Sequence, residues 1–169
     1  MIITRAYTAD LEVREHQRQI VGIAVPYGVQ IRVGRYVETF RPGAFAEADP
    51  APLTATHPRS SDTLPIGVSV ELRDEPDGLH GVWRVSKTSL GDEVLELIRD
   101  GAISGLSIGF VPVTDRWTPD RSGVERVRAL LDHVAVVRQP AYPDARIAAL
   151  RAAQARTGPL LNLARLRQQ

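Results

Sequence analysis

The chain has 169 residues and a mass of 18.5 kDa, enough for one domain with a modest extension. It contains no Cys, which excludes a disulfide framework, a thiolate nucleophile and any Cys-ligated zinc or iron–sulfur site. The net charge of +1 divides unevenly: residues 145–169 carry five Arg and no acid, so residues 1–144 hold a net charge of −4.

The first 85 residues read as strands. Gln19–Val25, Tyr36–Phe40 and Pro52–Thr56 are rich in β-branched and apolar residues and are bounded by Pro and Gly. Pro42–Ala48 suits a short helical turn. Ile66–Leu72 and Gly78–Val85 flank Asp74-Glu75-Pro76-Asp77, and Gly78 closes the turn of a predicted hairpin. The spacing of Leu90, Val94, Leu97 and Ile98 then predicts a helix over about Ser89–Asp100, capped by Thr88 or Ser89 and stopped at Gly101. Strands return at Leu106–Val113 and Val124–Val137, and the polar Thr114–Gly123 reads as a surface loop between them. Ala145–Gln169 is rich in Ala, Leu and Arg and reads as helix broken at Gly158-Pro159. Many short strands with few helices imply a mostly-β or α+β domain built on a closed or partly closed β-barrel flanked by helices. The expected division is a domain over 1–147 and a helical tail over 148–169.

The chemistry is narrowed by absences. No run approaches the length of a membrane span, and the first residues lack an apolar signal core, so the expected setting is soluble and unsecreted, with no membrane partner. The four His (His16, His57, His80 and His133) show no close metal-ligand spacing, and no Gly-rich phosphate loop follows a strand. No metal and no cofactor is therefore expected. The tail Arg have no aromatic residues among them to stack on bases, which disfavours nucleic-acid binding and leaves a solvated basic helix.

The informative segment is Asp100–Phe110, with the sequence DGAISGLSIGF. Strand alternation puts Ser107 on one face with Gly105 and Gly109, while Leu106, Ile108 and Phe110 take the other. Gly neighbours leave a hydroxyl unobstructed, so Ser107 is a candidate nucleophile, although a small residue in a crowded strand has the same appearance. His57 ends a strand at a loop, where bases are commonly held and where surface His are common too. His133 lies in the apolar run LLDHVAVV, so it is either a satisfied core His or part of a site.

Four stretches in order carry a resemblance: GIAVPYGVQ…YVETFRPGAF (22–45), LTATHPRSSDTLPIG (53–67), DGLHGVWRV through GAISGLSIGF (77–110) and LLDHVAVVRQPAYPDA (130–145). Together they resemble the prohead serine protease family of tailed bacteriophages, also found in prophages and gene-transfer agents. The likeness covers about residues 18–147. It implies a herpesvirus-assembly-protease-like barrel, with Ser107 as nucleophile and His57 as general base. It also implies cleavage of scaffold segments from capsid proteins inside the assembling prohead, in the bacterial host cytoplasm.

Two positions depart from the family pattern. Thr56 precedes the His where the family usually has Asn, and His133 stands where it usually has Glu. Herpesvirus relatives use a second His as third triad member, so the resemblance assigns that role to His133. Asp132 is the fallback, but regular alternation turns it to the opposite face. The resemblance further implies the major capsid protein or its scaffold segment as substrate and a homodimer; the basic tail is a candidate encapsidation signal, a self-cleavage target, or both. An oxyanion hole is expected from backbone amides near Ser107 or Arg138. The competing reading is a non-catalytic capsid-assembly or scaffold protein that keeps the fold.

Overall fold

β-branched and aromatic residues suit a pleated, half-buried surface, and they recur along this chain in short runs separated by turn residues. A computed structural model of the protein describes residues 1–9, 11–56 and 64–138. Its elements in chain order are β1 (Ile3–Thr8), β2 (Glu12–Arg14), a 3-10 turn (Glu15–Gln17), β3 (Gln19–Pro26), β4 (Ile31–Val33), β5 (Tyr36–Phe40), β6 (Pro52–Thr54), β7 (Gly67–Glu75), β8 (Gly78–Val85), α1 (Ser89–Arg99), β9 (Gly105–Trp117) and β10 (Gly123–Val137). The strands form one mostly antiparallel sheet in the order β1-β9-β10-β6-β7-β8-β3-β2, with β5 also pairing β10 and β4 pairing β5. Register shifts in the β9–β10, β3–β8 and β7–β8 ladders bend those strands. The sheet curls into a half-barrel, which brings β3 across against β1 and β9.

The 15-residue β10 organises the site end of the fold. Along one edge it runs antiparallel to β9. Along the other, Gly123–Arg126 pairs with β5 and Val134–Ala135 pairs with β6, both in parallel. The concave face is filled by Ile20, Leu53, Leu79, Trp83, Leu106, Ile108 and Phe110, all essentially inaccessible to solvent. Phe40 stacks on Phe45 with ring centroids 5.4 Å apart, and Phe110 meets Phe40 edge-on at 5.1 Å. Each such buried ring contributes about 1.5–3 kcal/mol by leaving water.

The helix begins where expected. The Thr88 side chain accepts from the Gly91 amide at 3.1 Å, and the chain leaves α1 through Gly101 at φ +74°, whose amide donates to the Ile98 carbonyl at 3.0 Å. That left-handed geometry suits Gly and ends the helix.

Other expectations need correction. The helix buries Gly91, Val94, Leu95 and Ile98, leaving Leu90 and Leu97 nearly half exposed, so its buried stripe is rotated from the expected one. The predicted loop at Thr114–Gly123 is half strand: β9 continues to Trp117, β10 starts at Gly123, and the loop is confined to Thr118–Ser122. Asp115 pairs with Arg126 and Trp117 packs edge-on against Tyr36, and these anchors hold a polar segment in the ladder. The short helical turn expected at Pro42–Ala48 takes the form of successive turns closed by amide-to-carbonyl bonds three residues apart, from Ala44 to Arg41, Ala46 to Gly43 and Ala48 to Phe45. Among the described residues α1 is the one α-helix, and the predicted tail helix over 148–169 lies outside them.

Candidate functional site

Ser107 is buried in β9, and its register partners make a row across four strands. Ala6 of β1 pairs with Ser107, Ser107 with Ala135 of β10, and Ala135 with Thr54 of β6. Adjacent strands lie about 4.8 Å apart, so Thr54 is roughly 10 Å from the serine across the sheet. Two of the four residues are Ala, so small side chains flank Ser107 on both neighbouring strands, and Ser107, Ala135 and Thr54 are all buried. The Thr54 hydroxyl donates to the Val134 carbonyl at 3.3 Å, tying β6 to the strand that carries His133.

His133 shares the Ser107 face. It pairs with Gly109, and its buried imidazole lies over that residue: a Cβ built on Gly109 would fall 2.1 Å from His133 Cε1 and 2.4 Å from Nδ1. Only Gly admits the ring there. A bulge in β10 produces this orientation. Leu131 pairs with Phe110 and packs on the core, His133 pairs with Gly109, and Asp132 is the extra residue between them. Without it, His133 would share the core-facing side with Leu131.

The bulge also corrects the expectation for Asp132. Regular alternation would point it away from His133, but its carboxylate Oδ2 lies 2.7 Å from His133 Nδ1. The break is written in LLDHVAVV: Val134 and Val136 keep core parity, whereas Leu131 falls out of step with them. Asp132 remains partly open to solvent, with its side chain 41% exposed.

Behind this face lies a buried charge cluster that the sequence did not reveal. Glu38 of β5 is wholly buried. It accepts from Arg5 of β1 and from Arg126 Nε of β10 at 2.7 Å, while Arg126 Nη1 reaches Asp115 of β9 at 2.5 Å. Burial would lower the Arg5 pKa, but the hydrogen bond and charge of Glu38 outweigh it and raise the value. Arg126 also lies over the Phe110 ring, 5.8 Å from its centroid. The ETFRPGAF phrase (38–45) therefore packs the back of the Ser107 strand, with Glu38 in the ion cluster and Phe40 and Phe45 against Phe110.

His57 lies outside the described residues; the chain reaches it three residues after β6 ends at Thr54. Thr56, in the place of the usual Asn, is exposed. His80 is held by Asp77 at 3.0 Å on the β7–β8 hairpin. Among the described residues no group of three or more His or acidic side chains is placed to hold a metal ion. Arg138 follows β10 beside Ser104, whose hydroxyl is 3.5 Å from the Arg138 carbonyl. Ser107 and His133 are thus brought to one face of neighbouring strands, and β6 pairs with β10 on the edge opposite β9.

A sequence model of the caudovirus prohead serine protease family matches residues 7–158. Among solved structures, the capsid assembly protease gp21 of bacteriophage T4 is similar in fold, with a TM-score of 0.59 and 14% sequence identity. That match covers 83% of this chain and 97% of the T4 chain. No curated protein matches.

Proposed function

The chain belongs to the caudovirus prohead serine protease family, and from that premise we propose that it cleaves capsid or scaffold segments during head maturation using Ser107, His57 and His133. The observation that carries this reading is the shared face of β9 and β10, where Ser107 stands in a row of small residues and His133 covers Gly109. In this reading Ser107 is the nucleophile, His57 the general base and His133 its orienting partner.

The reaction is acyl transfer. His57 takes the hydroxyl proton as Ser107 Oγ attacks the scissile carbonyl carbon, forming a tetrahedral oxyanion. The C–N bond then breaks, His57 returns the proton to the leaving amine, and an acyl-serine remains. Water repeats the sequence with His57 as base, releasing the acid and restoring the hydroxyl. Backbone amides near Ser107 or Arg138 are the proposed oxyanion donors. No metal or cofactor enters any of these steps.

The proposed setting is the interior of the assembling prohead in the host cytoplasm. Enclosure with the substrate gives a high effective concentration, so weak intrinsic affinity suffices. The proposed substrates are the major capsid protein or its scaffold segment, together with this chain's own Arg-rich tail over 148–169, and the proposed assembly is a homodimer. Intact-mass spectrometry after fluorophosphonate treatment tests the site. One adduct on the unmutated protein, absent from Ser107→Ala and His57→Ala, is expected. An adduct that persists in Ser107→Ala would overturn the assignment.

A further inference from the structure

We propose that Asp132 is a positioning residue of the same site, setting the tautomer of His133 through the bulge in β10. The inference rests on the proposed Ser107–His57–His133 assignment and goes one residue beyond it. The bulge places the Asp132 carboxylate 2.7 Å from His133 Nδ1, and the ring is held in place by its seat over Gly109.

The chemistry follows from what each atom can do. An ionised carboxylate only accepts hydrogen bonds, so the neutral His133 ring must carry its proton on Nδ1 to meet it. Nε2 then holds the lone pair and is the acceptor. A histidine that orients a general base must accept that base's N–H, because a donating nitrogen would oppose its protonation. The alternative tautomer, with the proton on Nε2, would set two donors against each other. Asp132 therefore selects the form of His133 that can serve His57.

Asp132 has a second effect. A neutral imidazole stabilises a neighbouring imidazolium less than a carboxylate does. Hydrogen-bonded to Asp132, His133 is polarised toward the carboxylate and becomes a better acceptor for the charge that develops on His57. The pair supplies through two residues part of what a single acidic third member would supply directly. The partial solvent exposure of Asp132 screens this contribution and makes it smaller than that of a buried triad acid.

The test uses the full chain with Asp132→Ala and Asp132→Asn beside the unmutated protein, read in two ways. The first is the rate of fluorophosphonate labelling at Ser107, expected to fall by about 10–100-fold in Asp132→Ala, by analogy with the carboxylates that orient metal-ligating histidines. Asp132→Asn, which keeps an oxygen acceptor without the charge, is expected to lie between the two. The second is the ¹⁵N spectrum of labelled histidine in a Ser107→Ala background: His133 protonated on Nδ1, shifting toward protonation on Nε2 in Asp132→Ala. Labelling of Ser107 as fast in both Asp132 variants as in the parent would overturn this inference and leave the protease assignment intact. A fall in labelling with no tautomer change would reject the tautomer role. A parent protein not labelled at Ser107 would remove the site assignment and this inference with it.

Discussion

The imidazole of His133 and the backbone of Gly109 are in such close contact that the smallest side chain added to Gly109 would overlap the ring, its Cβ lying 2.1 Å from Cε1. The second glycine of the GLSIGF segment thus seats the histidine of the next strand.

Gly109→Ala is accordingly expected to displace the His133 ring. A shift of about 1 Å in a group supporting a catalytic base costs on the order of 10²-fold in rate, and the overpacking costs about 1–3 kcal/mol in stability. Labelling kinetics at Ser107 and a urea melt measure the two effects separately. A labelling rate equal to the parent's would mean that the ring position does not matter to the reaction.

Glu38 is the common acceptor of two buried cations, Arg5 and Arg126, so Glu38→Gln removes the carboxylate that Arg5 pairs with and leaves Arg126 with Asp115 alone. Loss of one partner from a buried ion pair costs about 3–5 kcal/mol. The expected result is a lower urea midpoint with an unchanged slope. A smaller effect in Arg116→Ala, whose pairing with Glu125 is exposed, is the matched control.

The turn between β9 and β10 carries a pH signature. The Thr118 hydroxyl donates to Asp120 at 2.7 Å, and the Ser122 hydroxyl and amide donate at 2.8 and 3.1 Å. Those donors, with Thr118 first, lower the Asp120 pKa from 3.8 to about 2. Because the folded value is depressed, the stabilisation of the turn is complete above pH 3.8 and is lost as pH falls through about 2. NMR titration of the Ser122 amide is expected to show this midpoint, and Thr118→Ala to move it upward. A midpoint already near 3.8 in the unmutated protein would refute the account.

Thr88 caps α1 through its hydroxyl oxygen, so Thr88→Ala is expected to cost about 1 kcal/mol while Thr88→Ser retains most of the cap. A thermal melt distinguishes the two substitutions.

Legibility from the sequence varied with the range of the interaction. The β7–β8 hairpin and α1 were readable because Pro76, Asp77, Gly78, Thr88 and Gly101 are local signals acting on their immediate neighbours. The Ser107 face was readable from simple alternation along β9. The Glu38 cluster was not, since it joins residues 5, 38, 115 and 126, and nothing local marks a glutamate in YVETF as buried. At Asp132 only the break itself is visible in the sequence, as Leu131 out of step with Val134 and Val136; which residue is the extra one, and what it touches, is not, since regular alternation gives the opposite face. The exposure of Leu90 and Leu97 reflects the docking angle of α1, which packing against the sheet decides.

The row Ala6–Ser107–Ala135–Thr54 joins positions from the beginning, middle and late part of the described chain, and its last two links come from β10. Loop-closure entropy makes such distant pairings slow to form. During synthesis the β9 serine leaves the ribosome well before β10 does, and until β10 arrives it has neither the Ala135 beside it nor the His133 that will cover Gly109. The Ser107 face is therefore complete only once the last described strand has been made and has paired with both β9 and β6.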